Sequence, residues 1–142
     1  MQKIKAKRLL PAALLPTRRH GDAGWDLYAC TVEMLAPNML KVGTGIALEL
    51  PEGYWGQIEN RSSMGKAGWD VHGGIVDNIY RGEVMIILVG HTAGAAPVPV
   101  EPGAKVAQLI VRRLEDAEWT LEEAETLSTT ERGSGGFGST GR

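Results

Sequence analysis

Asp77 stands in Gly74-Ile75-Val76-Asp77-Asn78-Ile79-Tyr80-Arg81-Gly82, an acid set among apolar residues and followed by a phenol ring and a guanidinium. A carboxylate in an apolar frame is costly unless it is paired or used. It is therefore either a turn or cap residue or a working acid or base. Gly24-Trp25-Asp26-Leu27 poses the same choice around Asp26. Arg61-Ser62-Ser63 places a guanidinium and two hydroxyls at the start of a short helical stretch, either as a plain cap or as an anion site on unpaired N–H groups. The chain finishes on Arg132-Gly133-Ser134-Gly135-Gly136-Phe137-Gly138-Ser139-Thr140-Gly141-Arg142. Glycine lets successive N–H groups face one anion, arginine makes a bidentate phosphate contact, and a phenyl ring covers a flat base. That order suits a lid over a nucleotide, although Gly/Ser-rich ends also serve as plain linkers.

Other chemistries fit less well. A P-loop needs Lys before its Ser/Thr and a helix after it, and here Gly138 precedes Ser139 four residues from Arg142. His20, His72 and His91 are far apart and form no Ser/His or Cys/His set, so they read as surface or loop residues. Trp25, Trp55, Trp69 and Trp119 fall in strand-like contexts and read as packing rather than stacking platforms.

The elements that must carry these residues are mostly strands. Thr44 to Leu50 puts Ile46, Leu48 and Leu50 on one face, and Val106 to Val111 alternates around Gln108. Val84 to Val89 is an unbroken apolar run, as expected of a strand buried on both faces, and Pro/Gly turns separate the segments. The expected fold is all-β, a barrel or sandwich. Two stretches compete with it: Arg61 to Ala67 before Gly68 suits a turn or two of helix, and Asp116 to Leu127 is Glu-rich enough for helix on propensity.

Composition sets the outer bounds. A chain of 142 residues with 43% hydrophobic and 23% charged content suits one globular domain with its own core. Fifteen Lys and Arg against seventeen Asp and Glu leave a formal charge of −2 without a basic stripe, which argues against nucleic acid as a partner but not against free nucleotides. The lone Cys30 and the lack of a Cys/His cluster argue for an intracellular, cytoplasmic protein without structural metal. Lys3 to Pro16 has the charge pattern of a signal peptide. Its short apolar run is broken by two prolines, and neither export nor membrane insertion is expected.

Taken in order, Ala23 to Ala29, Arg61 to Gly65, Gly74 to Gly82, Gly103 to Ile110 and Arg132 to Gly141 resemble the five motifs of the trimeric dUTP pyrophosphatases, the dUTPases. The resemblance runs from Pro16 to Gly141. It implies a jelly-roll-like β-barrel over residues 1–130 with one short helix, a flexible arm over 131–142, and a homotrimer whose three active sites lie between subunits. The implied reaction is hydrolysis of dUTP to dUMP and pyrophosphate, which keeps uracil out of DNA and supplies dUMP for dTTP synthesis.

The resemblance also implies roles for individual residues. Asp77 is the general base for water attacking the α-phosphorus. Gly74, Ile75, Val76 and Tyr80 read uracil and deoxyribose, and Arg61, Ser62, Ser63 and Gln108 of another subunit hold phosphates. Arg132, Phe137, Gly138 and Ser139 of a third close the site. Mg²⁺ arrives on the triphosphate with no direct protein ligand, Asp26 touching it through water. Three positions depart from the commonest pattern: Ala104-Lys105 stands for Asp-Arg, Ile79 for an acid, and Asn60 precedes Arg61. The alternatives are a dCTP deaminase or bifunctional relative, which would carry a glutamate near Ile87, and a regulatory nucleotide-binding module.

Overall fold

The computed structural model describes residues 2–91, 100–115 and 119–134. Among them the elements run β1 (Lys5–Arg8), β2 (Trp25–Tyr28), β3 (Thr31–Ala36), β4 (Met39–Glu49), β5 (Tyr54–Asn60), α1 (Ser62–Lys66), β6 (Trp69–His72), β7 (Ile75–Val76), β8 (Glu83–Gly90) and β9 (Lys105–Arg113). One sheet has the order β1-β4-β8-β6, with β3 also paired to β4; the other has the order β2-β9-β5-β7. All pairings are antiparallel. Neighbours in each sheet are therefore often far apart in sequence, as β2 and β9 are.

The two sheets close on one core. Val42, Ile46, Ile86 and Leu88 from the first meet Leu27, Ile58, Val106 and Leu109 from the second in a single buried cluster. Each such side chain contributes about 1.5–3 kcal/mol on burial. This is jelly-roll-like packing of an all-β chain, with the expected face of Ile46, Leu48 and Leu50 fully inside. α1 lies within the helical stretch expected from Arg61 to Ala67 and stops before Gly68, whose φ is 80°. No helix among the described residues is long and apolar enough to cross a membrane.

Three expectations are corrected. β8 is not buried on both faces: Val84, Ile86 and Leu88 point inward while Met85 is 41% exposed, because β8 has the core on one side only. Residues 119–127 form no helix, and Leu121 and Leu127 lie in the open. Helix propensity without an apolar face to bury does not hold a helix in a folded chain. Trp119 is 73% exposed and outside any strand, whereas Trp25, Trp55 and Trp69 do sit in β2, β5 and β6. His20 and His91 are loop residues as expected, but His72 ends β6.

Candidate active site

Asp26 on β2 faces Gln108 on β9, and Gln108 in turn faces Glu59 on β5. The ladder thus puts one polar row across the second sheet, at the end where β5 runs into α1. Arg61 is the N-cap of α1, with φ −82° and ψ 145°, and no side chain caps the helix. Ser62 and Ser63 consequently lie exposed in its first turn rather than serving as caps. Together with Asp26, Lys105 and Gln108 these residues line a polar cleft of about 430 Å³.

The electrostatics of the cleft centre on Asp26. One carboxylate oxygen accepts from Lys105 Nζ at 2.7 Å and the other from Arg61 Nε at 3.1 Å, with the Asp26 side chain 25% exposed. Partial burial opposes ionisation, but the Lys105 hydrogen bond and the charges of Arg61 and Lys105 outweigh it, and the carboxyl is held below its ordinary 3.8. Asp26 is thus an anion that fixes two cations on the cleft wall. Arg61 also donates to the Lys105 carbonyl at 3.4 Å. Gln108 donates from Nε2 to the Asn60 carbonyl at 2.8 Å, and a β-carbon on Gly24 would stand 2.8 Å from Gln108 Oε1. Only glycine leaves that amide its place.

The second constellation is the turn after β7. Its strand is the edge of the second sheet, with Ile75 opposite Gln57 and Val76 opposite Gly56; among the described residues no strand pairs with its far side, where Ile75 N–H donates to the Gly73 carbonyl at 2.6 Å. Gly74 has φ +33°, and its carbonyl accepts from Ile58 N–H at 2.7 Å. Val76 is buried while Ile75 and Asp77 are exposed. Asn78 nails the turn down, its Nδ2 donating to the carbonyls of Pro51 at 2.7 Å and Tyr54 at 2.8 Å. Tyr80 N–H donates to the Asp77 carbonyl at 3.0 Å, and Tyr80 hydroxyl to the Glu83 carbonyl at 2.9 Å.

The expected site residues therefore fall into two groups. Arg61, Ser62, Ser63, Gln108 and Asp26 come together in the cleft, whereas Gly74, Ile75, Val76, Asp77 and Tyr80 share the edge turn. Val76 pairs with Gly56 on β5, and Arg61 follows the end of that strand five residues on. At about 3.3 Å per residue Arg61 lies roughly 10 Å along β5 from the level of Gly74, which bonds to Ile58, and roughly 16 Å from the level of Val76. Arg132 lies in an exposed turn where Gly133 N–H donates to the Thr130 carbonyl at 3.1 Å. Phe137, Gly138 and Ser139 lie outside the described residues.

Two contributors escaped the sequence reading. Lys105 was only a departure from a pattern, and its partnership with Asp26 spans 79 residues, beyond any local signal. Asn78 carried the usual mark of a turn amide, but the carbonyls it grips belong to the turn between β4 and β5 and to the start of β5.

A two-sheet β fold with a cationic cleft beside α1 and an anchored edge turn after β7 defines an all-β protein equipped to hold a phosphorylated ligand. The dUTPase family model matches residues 11–141, and the chain belongs to the dUTPase family. It is 41% identical over 146 residues to the deoxyuridine 5'-triphosphate nucleotidohydrolase of Clostridioides difficile, covering 99% of both chains. Among solved structures it is similar to a point-mutant dUTPase of Staphylococcus bacteriophage 80alpha with dUpNHpp, at a TM-score of 0.80 and 25% identity over 100% of both chains. It also shares its fold with a point-mutant dUTPase from phage phi11 of S. aureus, described with a structural Mg(II) ion, at a TM-score of 0.72 and 22% identity over 89% of this chain and 99% of that one.

Proposed function

We infer that this chain hydrolyses dUTP to dUMP and pyrophosphate, at sites completed between the subunits of a homotrimer. The observation that carries this reading is the split site: the cleft gathers Arg61, Ser62, Ser63 and Gln108 around a fixed Asp26, whereas Gly74 to Tyr80 lie apart from it in the edge turn after β7. Three copies arranged head to tail bring one group of each kind together and close the ring.

Each group has the chemistry its part needs. Asp77, exposed at the turn, takes a proton from the water that attacks the α-phosphorus. The bond from that phosphorus to the bridging oxygen breaks, and pyrophosphate leaves. Phosphoryl transfer of this kind depends mainly on position and neutralised charge, which Arg61, Ser62, Ser63 and Gln108 supply, with Arg132 closing from the C-terminal arm. Asp26 keeps Arg61 and Lys105 at a fixed spacing, so no rearrangement is needed when phosphate arrives.

Selectivity is read at the edge turn. The backbone of the turn around Gly74 and Ile75, at the edge of the second sheet, matches uracil, whereas cytosine reverses the donor and acceptor pattern and leaves groups unmet. The Tyr80 ring, held by its hydroxyl on the Glu83 carbonyl, packs where a ribose hydroxyl would project. Phe137 covers the base, and Gly138 and Ser139 meet the outer phosphates. The donor set suits Mg²⁺ carried by the nucleotide: of the cleft carboxylates Asp22 and Asp26, Asp26 has both oxygens already accepting from cations, leaving it a water-mediated contact. When bound, Mg²⁺ neutralises charge on the triphosphate.

The test is a panel of dUTP, dCTP, dTTP and UTP with pyrophosphate detection and an EDTA control, run on the wild type and Asp77→Asn. The expected result is release from dUTP alone, abolished by EDTA and lost in Asp77→Asn while dUpNHpp still binds. Ammonia from dCTP would establish the deaminase instead, and turnover retained in Asp77→Asn would remove the base from its role.

A further inference from the structure

We propose that Asn60 is a positioning residue for the phosphate cleft, holding Gln108 and Arg61 in place through a hydrogen-bonded strut that crosses from one sheet to the other. This rests on the hydrolase reading above, and concerns a residue in none of the contacts assigned to the nucleotide there.

Asn60 ends β5 and immediately precedes Arg61. Its carbonyl accepts Gln108 Nε2 at 2.8 Å, so wherever that carbonyl goes the Gln108 amide follows. Its side chain is engaged on the opposite side. Oδ1 accepts the Val71 N–H at 2.7 Å, and Nδ2 donates to Asp70 Oδ1. The other Asp70 oxygen meets His91 Nε2, and His91 N–H donates to the Gly68 carbonyl at 2.9 Å. The strut thus runs Gln108, Asn60, Asp70, His91. Asp70 is held below its ordinary 3.8, first by the His91 hydrogen bond and then by Asn60, and so acts as an ionised acceptor for both.

The reason a strut is needed lies in the topology. β5 belongs to the second sheet and β6 to the first, where, among the described residues, β6 pairs only with β8. No ladder joins β5 to β6, so the β5 to α1 junction, where Arg61 turns into the helix, has no sheet hydrogen bonds to hold it against β6. The two side-chain hydrogen bonds of Asn60 supply that tie. A residue without an amide at position 60 leaves the half-buried Val71 N–H unmet, hands the exposed Asp70 oxygen to water and frees the junction to drift.

The consequence separates phosphate binding from base binding. About 1 Å of misplacement can cost a hundredfold, and partial drift of Gln108 and Arg61 is expected to weaken dUpNHpp binding to Asn60→Ala by roughly tenfold. dUMP, which lacks the two outer phosphates and sits on the Gly74 to Tyr80 turn, should change by less than about threefold, since that turn is anchored independently by Asn78. KM for dUTP should rise more than kcat falls.

The experiment measures dissociation constants for dUpNHpp and dUMP, steady-state constants for dUTP and melting temperatures on the full-length chain. Four proteins are compared: wild type, Asn60→Ala, Asn60→Asp and the double variant Asn60→Asp with Asp70→Asn. Asn60→Asp sets two carboxylates against each other and should weaken dUpNHpp binding; the double variant exchanges donor and acceptor, re-forms the bond and should restore it to within about twofold. Restoration in the double variant is the signature of the strut, and it decides the matter even where Asn60→Ala does not fold. Equal losses for dUMP and dUpNHpp, or no restoration in the double variant, overturn the proposal and leave Asn60 a residue of general stability. A wild-type chain that releases no pyrophosphate from dUTP sinks the hydrolase reading, and this proposal with it, before any variant is compared.

Discussion

Gly74→Ala is the sharpest perturbation of the base-reading turn. A β-carbon there would stand 2.6 Å from the Ile58 carbonyl oxygen, some 0.7 Å inside an ordinary carbon–oxygen contact of about 3.3 Å. The obstacle is backbone of β5 and cannot rotate aside. At φ +33° an L side chain also carries left-handed strain of about 1–2 kcal/mol. Relief requires Gly74 to lift off β5, breaking the Ile58 N–H to Gly74 carbonyl bond, worth about 1 kcal/mol. The sum is roughly 2–3 kcal/mol, or about 10 °C in melting temperature for a chain of this size. Moving the turn should lower kcat/KM for dUTP by about a hundredfold. Gly73→Ala is the control: φ is +83° and nothing lies within 4 Å of the added carbon. It should show backbone strain alone, about 5 °C, and a much smaller kinetic loss. Thermal denaturation beside pyrophosphate release on the two variants decides it. Equal effects of the two, or wild-type kinetics in Gly74→Ala, would refute the claim that the close approach to β5 sets the turn.

Asp26→Asn should cost roughly 1–2 kcal/mol at neutral pH, since Arg61 and Lys105 lose their charged partner. Because the native carboxyl titrates below 3.8, its contribution is complete above about pH 4 and is lost as pH falls through the lowered native value. Urea titrations across pH 2–6 should therefore show a steeper acid decline for wild type than for Asp26→Asn, and parallel curves would contradict the ion-pair account. Deleting residues 131–142 should cut dUTP turnover by about a hundredfold or more, the scale of losing one anion-stabilising donor. The melting temperature should barely move, because residues 119–134 are exposed where described. An unchanged rate would remove the arm from the site.

Much of this protein was legible before any coordinates. Period-two patterning located β4 and β9, and Arg61 to Ala67 located α1, because those signals are local. The family motifs also named the members of both groups in the site. Propensity misled at residues 119–127, where no apolar face rewards a helix, and at β8, where an apolar run looks alike whether one face or two are covered. The departures tell the same story from the other side. Lys105 supplies the cation that Asp26 holds, Ile79 points outward at 86% exposure, and Asn60 ties two sheets together.

By itself, then, the sequence determined the all-β class, the order of the motifs and the family to which they belong, since residue type, alternation and turn chemistry are properties of neighbours along the chain. Only the tertiary structure decided that Asp26 anchors two cations, that Asn60 ties β5 to β6, and that the turn carrying Asp77 lies at the edge of the second sheet, apart from the cleft at Arg61. Those facts depend on register and on which sheet each strand joins, and such pairings are settled by the packing of the whole core rather than by any local stretch of residues.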